Sequence, residues 1–353
     1  DANSMESSEI VFGPGSTIYG SDALGGVIDF RTLNPEYSKD SSLLIYGQAK
    51  VGFASAANEY NGHVHFGIGG KRLSSITSFS YANFNDLRMG TNGPDDYLRN
   101  NYVERIDDKD SLLTNPNPRD QISSGYQQLN LVQKFGFKIG ESIQLGLNLT
   151  YAHTDDIPRY DRLIVPKEKG LKYAEWFYGP QDWINASFTV LNEKKGLFSD
   201  EYRLIVAYQL SKESRHDRKF NQLNLRNRME TVDVYSFNFD LNKSFNPEVQ
   251  LFYGIGITGN KIGSDADEKN ISTGQVTPVP TRYPDGSNYW GGGIYALLKW
   301  KPGSQWILNF GLRYSLVAMN GTFDTTFFPF PKSDFKQFSN AITPSVGAVY
   351  HLS

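Results

Sequence analysis

From about residue 40 onward the chain is written in steps of two, and no other feature constrains its fold as tightly. Ile143, Leu145, Leu147, Leu149 and Tyr151 fall on one side of an extended backbone, and Gln144, Gly146, Asn148, Thr150 and Ala152 fall on the other. Trp306, Leu308, Phe310, Leu312, Tyr314 and Leu316 oppose Ile307, Asn309, Gly311, Arg313 and Ser315 in the same way. Val249, Leu251, Tyr253, Ile255 and Ile257 form a further apolar row, as do Tyr235, Phe237, Phe239 and Leu241. An amphipathic helix needs apolar residues at i, i+3 and i+4, and these segments lack that spacing. The chain therefore reads as all-β, built from strands of roughly 10–15 residues.

An apolar strand face must meet either a second sheet or lipid. Mean hydropathy is −0.46, and no apolar run approaches the ~18–20 residues of a spanning helix. A transmembrane barrel escapes that test because only alternate residues face lipid. Loop lengths separate the two architectures. Short links fall near 69–72, 138–141, 193–199, 244–248 and 301–304, and long ones near 84–122, 154–181, 213–230, 260–289 and 319–340. After a tight first hairpin near 54–58 they alternate strictly. Soluble sandwiches have no reason to sort loops so, whereas outer-membrane barrels keep short turns on the periplasmic side and long loops outside. Tyr151, Tyr208, Trp290, Trp300, Trp306 and Tyr350 stand near strand ends, at the depth of an aromatic girdle, although ordinary strand propensity also favours these rings.

The run Gly13-Pro14-Gly15-Ser16-Thr17-Ile18-Tyr19-Gly20-Ser21-Asp22-Ala23-Leu24-Gly25-Gly26-Val27-Ile28 is turn-rich, and its glycines permit positive φ and close backbone approach. A phosphate-cradling loop is the rival reading, but Gly-x-Gly here opens no expected helix and no Gly-Lys-Ser/Thr follows. The run strongly resembles the end of the plug domain of TonB-dependent outer-membrane receptors, where such a segment leads into the first barrel strand. Phe12 departs from the pattern, since many of these receptors carry Arg there. The resemblance implies a plug portion over residues 1–35 and the N-terminal half of a transmembrane antiparallel β-barrel over 36–353. It assigns about a dozen strands to this chain, of about 22 in the closed barrel. The front of the plug and an export signal are expected upstream of Asp1. The implied setting is the bacterial outer membrane, with lipid around the wall and energy supplied by the TonB–ExbB–ExbD complex. No nucleic acid, resident cofactor or enzymatic activity is expected.

Two loop segments are similar to the haem and haemoglobin subgroup of these receptors in Bacteroidetes-like bacteria. They are Asp156-Ile157-Pro158-Arg159-Tyr160-Asp161-Arg162-Leu163 and Ala174-Glu175-Trp176-Phe177-Tyr178-Gly179-Pro180-Gln181. Physically, the first is a Pro-stiffened turn whose two Arg and two Asp residues suit local pairing, so a structural role outweighs ligand contact. The subgroup resemblance implies haem as transported ligand, a haemoprotein as its source, histidine ligation, and at most a small surface lipoprotein as partner. Among five histidines, alternation points His63 and His65 into the lumen, while His153 and His216 lie toward the outer rim and are the ligand-binding candidates. His216, between Arg215 and Asp217, reads as solvated surface, and His351 closes the last strand on the periplasmic side. The subgroup's Arg-Ala-Pro and Asn-Pro-x-Leu boxes are expected beyond residue 353. Importers of a siderophore, cobalamin or glycan are the alternatives, and a structural barrel of a surface assembly is another. Asp107, Asp108 and Asp110 lack calcium-loop spacing and read as solvated charge. No catalytic triad or metal-ligand spacing stands out.

Overall fold

The computed structural model describes residues 2–11, 16–20, 23, 25–40, 42–168 and 170–351. Near the N-terminus, β1 (Met5–Val11) and β2 (Val27–Thr32) form an antiparallel hairpin. Most of the remainder is one large antiparallel sheet whose main path holds twelve strands in strict sequence order, with small two-stranded sheets in the connections. These are β3 (Leu44–Ala54), β4 (Glu59–Gly69), β5 (Leu73–Phe84), β6 (Tyr126–Ile139), β7 (Ile143–Thr154) and β8 (Gln181–Asn192). They continue as β9 (Glu201–Lys219), β10 (Asn224–Ser244), β11 (Val249–Asn270), β12 (Asn288–Trp300), β13 (Trp306–Thr322) and β14 (Asp334–Tyr350). Each strand pairs with its sequence neighbour, so every interior strand has both edges hydrogen-bonded, as a wall in hydrocarbon requires. No helix among the described residues is long and apolar enough to cross a membrane, which says nothing about a barrel.

Register separates the two faces. Leu149, Ala186, Tyr208, Tyr235, Gly259 and Trp290 lie in one cross-strand row, and Leu149, Tyr235 and Trp290 are exposed. The Tyr208 and Tyr235 rings stand 5.3 Å apart, and Gly259 leaves room for the Trp290 indole, which a Cβ would meet at 2.5 Å. Ten residues along β12, Trp300 begins the lower row, and Trp306 packs on Tyr350 at 4.8 Å. At ~3.3 Å per residue and a ~40° tilt, the two rows stand about 25 Å apart across the membrane, the height of an outer-membrane apolar band. The opposite face carries buried Ser74, Ser78, Ser80, His63 and Arg313 and touches the N-terminal segment, which makes it the inner face.

Several expected loops are shorter than the alternation suggested. Where 213–230 was expected to be a loop, β9 runs to Lys219 and β10 starts at Asn224. Likewise β11 continues to Asn270, β13 to Thr322, and β14 starts at Asp334. The apolar row ends where lipid ends, but the backbone ladder continues into water with polar side chains on both faces. The loop after β5 also holds a hairpin, Asn101–Ile106 with Lys109–Thr114, turned by Asp107 and Asp108 at φ 46° and 60°.

The N-terminal segment corrects a second expectation, because one helical turn, α1 (Ser16–Tyr19), does follow the Gly13-Pro14-Gly15 run. Gly13, Pro14, Gly15, Ser21 and Asp22 themselves lie outside the described residues. Gly20 follows the turn at φ 98° and Gly26 precedes β2 at φ 139°. Gly25, expected to be tight, meets nothing within 4 Å of an added Cβ. After β2, Lys134 of β6 donates to the Thr32 carbonyl at 3.0 Å and to Asn34 Oδ1 at 3.1 Å, tying the connecting segment to the inner wall.

Two outcomes follow from this geometry. With a cysteine placed singly at Asn92 or at Asn246, an impermeant thiol reagent applied to intact cells should label only the first; labelling of both would overturn this topology. Gly26→Val forces a β-branched residue into a left-handed backbone at a cost of roughly 1–3 kcal/mol. The wall does not depend on that residue, so outer-membrane levels should stay normal while permeability to bulky antibiotics rises. Gly25→Val should be silent in the same assay.

Candidate functional site: the inner face of the outer mouth

Above the girdle, the inner face carries a lattice of opposite charges. Arg203 and Ile205 of β9 line the space beside α1, and alternation along β9 brings Glu213, Arg215 and Asp217 onto that same face. Cross-strand register sets Arg215 beside Arg228 and Glu213 beside Glu230, which in turn faces Ser264. Like charges directly opposite repel, and here the 271–287 loop supplies the counterion. Arg282 Nη1 lies 3.4 Å from Glu213 and 3.6 Å from Glu230. Arg215 pairs with Glu213 at 2.6 Å, and Arg228 with Asp217 at 3.4 Å. Burial pushes the Glu230 carboxyl above the ordinary range against the pull of Arg282, and Glu213 adds to the push.

The two resembling loop segments assemble against this lattice. Tyr173–Tyr178 forms a strand on the upper edge of β9, with Tyr178 beside Arg215, and Ile157 and Pro158 pair with Tyr178 and Phe177. Arg159 grips Asp161 through two bonds of 2.8 and 2.9 Å, donates to the Tyr178 hydroxyl at 2.7 Å, and lies 4.8 Å over the Trp176 ring. That grip holds Asp161 below the ordinary carboxylate range. Arg215 covers Tyr178 at 5.1 Å, and Tyr160 donates to the Tyr97 carbonyl at 3.0 Å. Arg162 stays at the exposed margin, 3.7 Å from Asp161. Gly179, at φ 110°, leaves no room for a Cβ, which would meet the Asp155 carbonyl oxygen at 2.6 Å. Its own carbonyl accepts from Ser214 Oγ at 2.6 Å, and the Gly179–Pro180 peptide is cis. Gln181 then opens β8 opposite Thr154. The motif is thus chiefly a scaffold, with the rings of Trp176 and Tyr178 half-buried on its inner face.

Asp110 is not solvated charge. Its side chain and that of Arg218 are each 1% exposed, joined by bonds of 2.7 and 2.9 Å, and the same guanidinium reaches Glu175 at 2.6 Å. Burial works against the charged carboxyl, yet Arg218 and the Asn221 backbone N–H hold Asp110 below the ordinary range. One buried arginine therefore locks the 101–114 hairpin and the 173–178 strand to the end of β9. Asp108, by contrast, is 97% exposed, as expected.

The rim histidines look away from the lumen. His153 shares its strand face with exposed Leu147 and Leu149, bonds Asp182 at 2.9 Å and lies 3.6 Å from Asp155. It borders a cleft of about 1230 Å³ whose wall holds Asp86, Asp120, Asp155 and Asp156 against a single arginine, Arg88, a poor setting for an anion. His216 is half-buried rather than solvated: it stacks on Phe177 at 4.6 Å and uses both ring nitrogens, toward Asn227 at 2.7 Å and Ser214 at 2.9 Å. In the lumen, His63 bonds Ser80 Oγ at 2.7 Å and His65 at 3.1 Å.

Glu213, Arg215, Arg228, Glu230, Arg218 and Arg282 went unread as a site because 213–230 and 260–289 both read as loops. A signal was present: Glu213, Arg215 and Asp217 alternate in sign at a spacing of two, and Arg226, Arg228 and Glu230 keep charge at the same spacing, a strand pattern written in charge instead of apolarity. Arg218→Met should leave the buried Asp110 carboxylate with only Arg105, 3.5 Å away, as a cationic partner, at a local cost of up to about 3–5 kcal/mol. Proteolysis of intact cells should then nick the 101–114 hairpin while the wall survives. Because Asp110 is depressed, its contribution is fully present above the ordinary carboxylate pKa and is lost as pH falls through the lowered folded value. Hairpin protection in the unaltered protein should hold from neutral pH down to about pH 4 and fade only below.

The fold has many solved counterparts. The copper transporter OprC superposes with a TM-score of 0.76 at 11% identity, covering 99% of this chain and 49% of that one. The FrpB iron transporter from Neisseria meningitidis gives 0.69 at 14%, covering 99% and 50%. The Serratia marcescens hemophore receptor HasR, solved with its hemophore HasA and heme, gives 0.62 at 11%, covering 98% and 47%. At these identities the likeness is one of fold, and the chain spans about half the length of those proteins. No curated protein sequence matches it. Residues 66–353 match the TonB dependent receptor-like beta-barrel family, and the chain belongs to that family of outer-membrane receptors, which are not enzymes.

Proposed function

We propose that this chain belongs to a TonB-dependent importer of an iron-containing ligand, and that the ligand is haem or haem drawn from haemoglobin. One observation carries the reading: the inner face of the mouth sets Trp176 and Tyr178 among Arg159, Arg215 and Arg282. Haem is a flat apolar macrocycle with two carboxylates. Aromatic rings and guanidinium planes suit its faces, and arginine forks suit its propionates. The lumenal pair His63 and His65 supplies imidazole, which suits iron, below that mouth. The solved hemophore receptor of the same fold was itself captured with heme, which supports the reading by analogy of fold alone.

A receptor of this kind has no nucleotide site of its own, so transport draws energy from the TonB–ExbB–ExbD complex. Ligand held at the mouth acts by binding one plug state better than another, since only differential affinity moves that equilibrium. A small surface lipoprotein that hands over haem is a compatible partner.

Haem titrated into outer-membrane vesicles carrying the full-length receptor should give a saturable Soret change. Trp176→Ala with Tyr178→Ala should weaken it about tenfold, the loss of two aromatic contacts of ~0.5–1.5 kcal/mol each. Deletion of the gene, in a strain without another haem system, should abolish growth on haem as sole iron source. Unimpaired growth after deletion would sink this substrate and leave a siderophore, cobalamin or glycan as the cargo.

A further inference from the structure

We propose that Arg313 is the positioning residue that seats the end of the plug segment on the barrel wall and keeps the lumen sealed. It projects from the inner face of β13 and is 8% exposed. Its Nη1 donates to the carbonyl of Thr17 at 3.2 Å and to that of Ile18 at 3.0 Å, and its Nε donates to Ser315 Oγ at 2.9 Å. Those carbonyls belong to the single turn Ser16–Tyr19, too short to satisfy them itself. One strand over, Ser345 of β14 meets Thr17 Oγ1 at 2.7 Å, and Thr17 is 2% exposed.

The wall is cleared for this contact at two glycines. A Cβ on Gly293 would stand 2.8 Å from Arg313 Nη2, and a Cβ on Gly311 would stand 2.6 Å from Thr17 Oγ1. The first glycine lets the guanidinium lie flat across β12, and the second lets the Thr17 side chain reach the wall. On the plug side, Gly20 turns away at φ 98°, where a Cβ would already touch Arg313 Nη2 at 3.5 Å. Tyr295 OH donates to Asp240 at 2.6 Å beside the same seat and takes that carboxylate as its own partner. Arg313 has no carboxylate within ion-pair distance among the described residues, so its charge is spent on plug carbonyls. A latch of this form holds the plug by charge-assisted bonds to backbone, which no plug side chain has to supply.

The chain has no cysteine, so a covalent substitute for the latch is available. In the full-length receptor, Arg313→Met should leave the amount and heat-modifiable mobility of the outer-membrane protein unchanged. The unseated population should rise about tenfold, the effect of losing one charge-assisted anchor. Cells should become correspondingly more susceptible to vancomycin, which an intact outer membrane excludes. Arg313→Lys, which keeps the charge and one bond, should fall between the two. Adding Thr17→Cys and Ser345→Cys to Arg313→Met should restore the seal under oxidising conditions and lose it again on reduction. Wild-type impermeability of Arg313→Met would overturn the proposal, as would a leak that the oxidised cysteine pair leaves unchanged. Loss of the barrel from the membrane in both Arg313→Met and Arg313→Lys would also overturn it, making Arg313 a residue of barrel folding. Leakage is read without any ligand, so this test stands apart from the identity of the cargo.

Discussion

A backbone N–H or C=O left unpaired in hydrocarbon costs several kcal/mol, and nearly everything in this chain descends from that penalty. It forces twelve strands to pair only with their sequence neighbours, because a strand that skipped its neighbour would leave two edges open in lipid. It also frees the side chains from any duty to stabilise the ladder. The outward row can then be purely apolar, with rings at its two ends, and the inward row is left to carry chemistry.

Where the lipid stops, the ladder goes on under a different rule. Between Glu213 and Lys219, and between Asn224 and Glu230, water competes for every backbone group, and the strands persist because side chains now contribute to pairing. Charge alternates along β9 while like charges face each other across it at Glu213–Glu230 and Arg215–Arg228, and long-range ties such as Arg218 to Asp110 and Arg282 to Glu213 and Glu230 fasten the loops to the sheet. Partly exposed ion pairs such as Arg215–Glu213 are individually weak. The buried Arg218–Asp110 pair differs, since separating it would leave a charge stranded out of water. A wide mouth built from long polar strands is therefore rigid at a few fastened points and yielding between them.

Strand alternation, turn lengths and the sorting of loops were legible because lipid imposes a strict period of two on one face. The girdle was legible for the same reason. The upper halves of β9, β10 and β11 were not, since period-two apolarity ends at the headgroups while period-two pairing does not. Asp110 was misread because exposure of an aspartate in a loop is the ordinary case, and its partner lies 108 residues away. His216 was misread similarly: neighbouring charges Arg215 and Asp217 point to the other face of the strand, leaving the imidazole stacked on Phe177. The contact between Thr17 and Arg313 joins residues almost 300 positions apart and has no local trace in the glycine run.

The inner face changes character along its height, and that gradient separates two tasks. At the level of the N-terminal segment it leaves space for the seat at Gly293 and Gly311, and a few side chains such as Arg313 and Lys134 donate to backbone carbonyls of that segment. At the mouth it is made of arginines, glutamates and aromatic rings. Sealing demands close approach of two backbones, which tolerates little side-chain bulk. Capture demands side chains that reach, and polar groups whose partners can be exchanged for a ligand. No single stretch of wall meets both demands, so the chain places them in succession along the same strands. The ladder that keeps β9 to β13 in register then fixes the distance between mouth and seat. The mouth lattice itself stands on β9 and β10, with Arg282 reaching it from the loop that follows β11.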